Sequence, residues 1–250
     1  MTLAGLAFFD ALLAITLVLV GIVAAHFYIV VPFLGFQIFL LGFLLSLLAI
    51  IFGIIGLILT RRPERRGARN RAIIGLLIGI IIATPVFIMI RMRGNVPAIN
   101  DITTDFDNPP EFVFALTIPA NHGRDMKYDR AKYEAKQKAG YPILAPLKES
   151  DPPQAMYVKL KDLAAGNPNW VVTASDPNAM TIEGVSTSKL FHFNDDFIIQ
   201  VRAANDGGSL VEMRSKSRDG IGDFGINYKR IHNFFDRVAL ARDSGEEPIP

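Results

Sequence analysis

Apolar positions run without a charged residue from Ala11 to Thr60, and again from Ala72 to Ile90. An apolar bilayer core about 30 Å thick takes roughly 20 helical residues to cross. The first run therefore suits two spans with a turn between them, and the second suits one. The turn is placed between His26 and Gly35, where Pro32 and Gly35 oppose continued helix and His26, Phe27 and Tyr28 suit the headgroup zone. This predicts spans over about 8–27, 36–59 and 72–90, within a transmembrane anchor of residues 1–93. Pro85, inside the third run, is better tolerated in a membrane helix than in a soluble one.

Beyond residue 93 the pattern changes. Residues 94–123 carry Pro97, Pro109 and Pro110 among turn-forming polar residues and read as an extended linker. A charged helix is expected over Tyr128–Ala139, ended by Gly140 and Pro142, and a second from Asp151 to about Ala165, closed by Gly166 and Pro168. The period then becomes two. Strands are expected over Trp170–Ala174, Met180–Ser188, Phe197–Ala203 and Ser209–Arg218, with Asn205-Asp-Gly-Gly as a hairpin turn. In the last strand Val211, Met213, Ser215 and Ser217 share one face, and Glu212, Arg214, Lys216 and Arg218 the other. From Ile226 to Ala241, Ile231, Phe234, Phe235 and Val238 form an apolar stripe, with Asp223 and Asn227 as candidate N-caps. The expected fold is a two-layer α+β domain over 124–242, with an antiparallel sheet of about four strands and packed helices, then a flexible polar tail over 243–250.

Charge adds orientation. Arg61, Arg62, Arg65, Arg66, Arg69 and Arg71 between the second and third runs face a single acid, Glu64. Short loops rich in arginine stay in the cytoplasm. The N-terminus is thus expected in the cytoplasm and the C-terminal domain in the periplasm of a bacterial inner membrane. Arg91 and Arg93 oppose this, two against six. The first span lacks a basic leader and is too long for the apolar part of a cleavable signal peptide. Asp10 lies near the cytoplasmic end and reads as interfacial, so no ionisable residue sits deep in a span to serve a pump or channel. Gly75, Gly79, Ala83, Ala49 and Gly53 recur at a spacing of four, which suits helix packing within the chain or a homo-oligomer contact.

The net charge of +2 combines a basic first 99 residues with an acidic remainder. The basic loop favours anionic membrane lipid, and the acidic domain excludes nucleic acid as an expected partner. With no cysteine there is no disulfide framework, thiol nucleophile or cysteine-ligated metal. No cofactor or metal is expected. Asp101, Asp105 and Asp107 fail the calcium-loop spacing, and His26, His122, His192 and His232 show no metal-ligand spacing. Asp223-Phe-Gly225 lacks every companion motif of a kinase.

The densest chemistry is Arg214, Arg218 and Arg230 with Asp195, Asp196, Asp219 and Asp223. Three readings stand: an Arg–Asp lattice locking the last strand to the closing helix, an anion-binding face, or catalysis. The anion face would use Arg214, Arg218, Asp219, Asp223, Asn227 and Arg230, because the guanidinium fork matches carboxylate and phosphate. Catalysis would use His192 or His232 as acid or base, Asp195 or Asp196 to orient it, and Arg218 to stabilise negative charge.

Leu190-Phe-His-Phe-Asn-Asp-Asp196, the run RSKSRDGIGDFGINYKRI from Arg214 to Ile231 and the stretch DITTDFDNPP from Asp101 to Pro110 resemble the domain-of-unknown-function 1499 family of bacteria and plastids, in its membrane-anchored bacterial branch. That resemblance covers most of residues 100–240 and implies a shared fold with no assigned activity. The expected role is a periplasmic binding or scaffolding module for an anionic ligand, a lipid headgroup or an envelope protein. The alternative is an envelope hydrolase built on the His/Asp/Arg group.

Overall fold

The computed structural model describes residues 2–244, which form two compact units: residues up to 94 with 189–192, and residues 95–188 with those from 193 onward.

The first unit holds three long helices, α1 (Leu3–His26), α2 (Pro32–Leu59) and α3 (Arg66–Met92). Thr2 caps α1 by accepting the Gly5 N–H, and Pro32 opens α2 where its missing N–H costs nothing. Each helix is long and apolar enough to cross a membrane. All three start before the expected spans, because helix persists through the flanking residues wherever backbone bonds can still be made. The small residues lie between the helices. A Cβ on Gly42 would sit 2.8 Å from the Ala14 carbonyl oxygen, and one on Gly79 2.7 Å from that of Ser46. Glycine there lets the backbones touch, while Leu19, Val20, Ile54 and Ile81 point outward.

The second unit is α+β. Its elements are β1 (Asp101–Thr103), α4 (Arg130–Gly140), β2 (Leu147–Glu149), α5 (Pro153–Ala165), β3 (Trp170–Asp176), β4 (Thr181–Thr187), β5 (Asn194–Ala203), β6 (Ser209–Ser217) and α6 (Ile226–Ser244). The antiparallel sheet runs β1-β6-β5-β4-β3, and β2 also pairs with β6. It has six strands where about four were expected. The two additional strands are three residues each, too short to show a period of two, and exist because β6 offers them a free edge. Beyond β1, the stretch read as extended holds two 3-10 turns, Phe114–Thr117 and Pro119–Asn121. The tail expected over 243–250 lies outside the described residues, except that its first two end α6.

One sheet face carries the core. Phe197, Ile199 and Val201 of β5 with Val211 and Met213 of β6 pack against Met156 and Leu160 of α5 and Ile231, Phe234 and Val238 of α6. Trp170 lies over Phe197 and Phe234, with ring centres 4.3 and 5.1 Å apart. The other face has a small apolar cluster, Phe112, Ala115 and Met126 around Ile198, supplied by the chain between β1 and α4. Polar side chains of β4, β5 and β6 fill the rest of that face.

Candidate functional site

The alternation of β6 divides its arginines and serines between two environments. Arg214 points to the face covered by residues 104–127 and is fully buried. Its Nε and Nη2 donate to the two oxygens of Asp101, at 2.9 and 2.8 Å, and Lys216 Nζ donates to the same carboxylate at 2.7 Å. The β1–β6 register makes this meeting possible, since Asp101 lies opposite Lys216 and Thr103 opposite Arg214. Nη2 of Arg214 also donates to the Met126 carbonyl at 2.9 Å, and the rings of Phe112 and Tyr128 flank the guanidinium. Burial, with the Asp101 charge adding, pushes the Tyr128 hydroxyl above its ordinary pKa. Gln137 of α4 holds β1 in place by exchanging two hydrogen bonds with the Thr103 backbone, at 3.1 and 2.6 Å.

Asp195 and Asp196, adjacent in β5, face opposite ways. Asp196 accepts from Arg218, at 2.7 Å for the shortest bond, from Asn121 at 3.1 Å and from Arg124 at 3.4 Å. Asp195 pairs with Arg230 of α6 on the helical face. Beside it Asn227 bonds Ser215 and Ser217, and Arg230 also donates to Ser215 at 2.7 Å and to Asn227. Asp223 caps α6, its carboxylate accepting the N–H groups of Gly225 and Asn227 at 2.8 and 2.9 Å. Burial raises the Asp223 pKa in spite of those bonds. It raises that of half-buried Asp219 as well, against the attraction of Arg124 and Arg218.

Of the ligand-binding set expected from the sequence, Arg214, Arg218 and Arg230 are each held by a carboxylate of this chain, and Asp223 and Asn227 are committed to the start of α6. The catalytic set does not come together. His232 is exposed on α6, 3.7 Å from Asp236 rather than against Asp195 or Asp196. His192 lies in the turn between β4 and β5 at φ +57°, and its buried Nδ1 has no hydrogen-bond partner among the described residues. Of the three aspartates that fail the calcium-loop spacing, Asp101 pairs as above, Asp105 caps a turn through the N–H groups of Asp107 and Asn108, and Asp107 pairs with Arg130. No group of three or more potential ligands that could hold a metal occurs among the described residues.

A feature with no sequence signal is a cleft of about 730 Å³ on the sheet face opposite the helices. It opens between the stretch 107–117, the β3–β4 hairpin and the side chains of Gln200 and Arg202. Glu183 shapes its wall, because its carboxylate accepts the consecutive N–H groups of Val113, Phe114 and Ala115 at 2.8–2.9 Å. Thr181 pairs with Gln200 here, whereas Asp195 pairs with Ser217 at the other end of β5, so the cleft and the Asp195/Asp196 network occupy opposite ends of the sheet. Behind the cleft Glu212 is buried with Arg202 Nε 3.1 Å away, and burial pushes its carboxyl up to about 7.

No curated protein and no solved structure matches the chain. The family described as "Protein of unknown function (DUF1499)" matches residues 101–238, from the first residue of β1 to the last apolar turn of α6. With that match spanning more than half of its length, the chain belongs to the DUF1499 family.

Proposed function

We propose that the chain spans a bacterial inner membrane three times and carries a periplasmic binding module whose site is the cleft beside Glu183. The N-terminus is cytoplasmic in this reading, because the six arginines from Arg61 to Arg71, in the α2–α3 connection and the first turns of α3, are all exposed and form a short basic segment. The observation that carries the binding reading is the cleft itself. Its volume falls in the range of ligand sites, and Glu183 holds one wall in shape before anything binds.

Among an anion, a lipid headgroup and an envelope protein, the lining favours a segment of an envelope protein. Glu111, Asp176 and Glu183 place three carboxylates there, beside Asp107 already paired with Arg130, and the guanidinium of Arg202 is itself engaged by Glu212, which disfavours anions. Phe114 and Val113 add an apolar wall that suits a peptide side chain. Arg214, Arg218, Asp223, Asn227 and Arg230 then hold the fold rather than a ligand. The hydrolase alternative gains no support, since neither histidine has a partner from the aspartate pair.

Native mass spectrometry of gently extracted full-length protein tests this. A polypeptide adduct retained by the wild type and lost in Thr117→Trp, which fills the cleft from an exposed position, is the expected result. An adduct kept by T117W places binding elsewhere. Loss of cellular function in a folded His192→Ala or His232→Ala variant would favour the hydrolase.

A further inference from the structure

We propose that the free edge of β3 receives an extended segment of the partner protein as an added strand, and that this segment sends a lysine or arginine side chain into the cleft. The inference rests on the reading of the cleft as a peptide site, and adds to it the mode of binding and the class of side chain. β3 ends the sheet, and among the described residues only β4 pairs with it. An open edge presents backbone N–H and C=O groups with which a second chain can pair.

The register shows which groups those are. The Val201 N–H donates to the Met180 carbonyl at 3.0 Å, and the Thr187 N–H to the Asn169 carbonyl at 3.1 Å. Bonding direction alternates along an antiparallel strand. Ile182 and Gly184 therefore turn their backbone groups to β5, and Thr181, Glu183 and Val185 turn theirs to β3. Their partners Asp176, Ala174 and Val171 bond β4, which leaves the N–H and C=O of Val172 and Ser175 directed outward. A β-bulge at Thr173 puts those two positions three residues apart instead of two. A partner then pairs over a short stretch at Ser175 and not along the whole edge.

Ser175 is also where the edge meets the cleft, whose wall includes Ala174, Ser175 and Asp176. Ala174 and Asp176 lie opposite Glu183 and Thr181 and share the cleft face, whereas Ser175, opposite buried Ile182, belongs to the helical face. A strand added at Ser175 directs alternate side chains over the cleft. There they meet carboxylates. Glu111 and Asp176 are exposed and Glu183 stands in the wall, while Arg202 is held by Glu212. An ammonium or guanidinium complements that lining and a carboxylate is repelled by it. Val171, 63 % exposed and opposite Val185 on the same face, adds apolar surface along the edge.

The test uses the detergent-solubilised full chain and a fluorescein-labelled hexapeptide of alternating threonine and lysine, followed by fluorescence anisotropy. Pairing opposite Ser175 puts the threonines on the helical face with their amides toward the edge, and the lysines on the cleft face. This parent peptide is compared with one carrying glutamate for lysine and one N-methylated at its threonines. Ser175→Pro removes an outward N–H, a change that an edge strand tolerates. The expected result is that the parent binds the wild type. Binding weakens about tenfold or more on threonine methylation, on glutamate substitution and in an S175P variant that melts like the wild type. A methylated peptide bound as tightly as the parent overturns strand addition, whether or not S175P folds. A glutamate peptide bound as tightly overturns the basic partner. A parent peptide that does not bind overturns the inference as a whole. The cleft reading stands or falls separately, by whether T117W loses the polypeptide adduct.

Discussion

Asp101 and Arg214 form a two-pronged ion pair, 2.9 and 2.8 Å across its bonds, with neither side chain reaching solvent. It joins a three-residue edge strand to the signature strand β6 and faces the chain that covers the sheet. A charge in that position is tolerable only while its partner remains, since removing one member leaves the other buried and uncompensated.

Asp101→Ala is therefore expected to destabilise the protein by about 3–5 kcal/mol, because both Arg214 and Lys216 lose their counter-charge. Denaturation of the detergent-solubilised chain measures it. Replacing Asp101, Arg214 and Lys216 together by Leu, Met and Met should recover much of the loss. A melting curve for D101A that overlays the wild type would mean that the pair contributes little.

Arg218→Ala should lose less, about 1–2 kcal/mol, because Asn121 and Arg124 continue to serve Asp196. Asp223→Ala removes the acceptor of two N–H groups at the start of α6 and should lose about 1–2 kcal/mol as well. Thermal melts of both variants decide between a lattice and a ligand site. Full stability with lost cellular function would make these residues a binding surface after all.

Glu212 makes stability depend on pH. Its carboxyl is raised from 4.5 to about 7, chiefly by burial and against the pull of Arg202. Between those values the folded chain keeps a proton that the unfolded chain releases, so stability falls as pH rises from about 4.5 to about 7 and levels off above that. Glu212→Gln should flatten this dependence and be more stable than the wild type near pH 8, by about 1–3 kcal/mol. Melting temperatures near pH 5 and pH 8 for both proteins are the check, and an unchanged slope in E212Q would assign the dependence to another group.

Membrane topology is open to reporter fusions. A fusion after Arg66 should report the cytoplasm and one after Pro250 the periplasm, the orientation that the six exposed arginines from Arg61 to Arg71 favour. A periplasmic signal at Arg66 would reverse the orientation and move the cleft to the other side of the membrane.

Much of the fold was legible because it follows local periodicity. The charge-free runs marked α1, α2 and α3. The alternation through Phe197, Ile199 and Val201 marked a core strand, and the Phe234–Val238 stripe marked α6. The candidate site was legible only as an inventory. The spacing of Arg214 and Arg218 placed both on one face of β6, yet Arg214 is sealed against Asp101 while Arg218 meets Asp196 at the sheet end. Asp195 and Asp196 are neighbours in the sequence, but the pleat turns Asp196 to Arg218 on one face and Asp195 to Arg230 on the other. Gln137, Glu183 and Glu212 gave no signal, because each depends on a partner ten or more residues away.

By itself the sequence determined the three long apolar helices, the order of the longer helices and strands of the domain and the family resemblance carried by the run from Arg214 to Ile231. These depend on neighbours within a few positions along the chain, where the helical and pleated repeats are written. Only the tertiary structure decided which carboxylate each arginine meets and where the cleft opens. Those outcomes depend on strand register and on coverage by residues 104–127, which bring together positions as far apart as Asp101 and Arg214, and no local pattern encodes them.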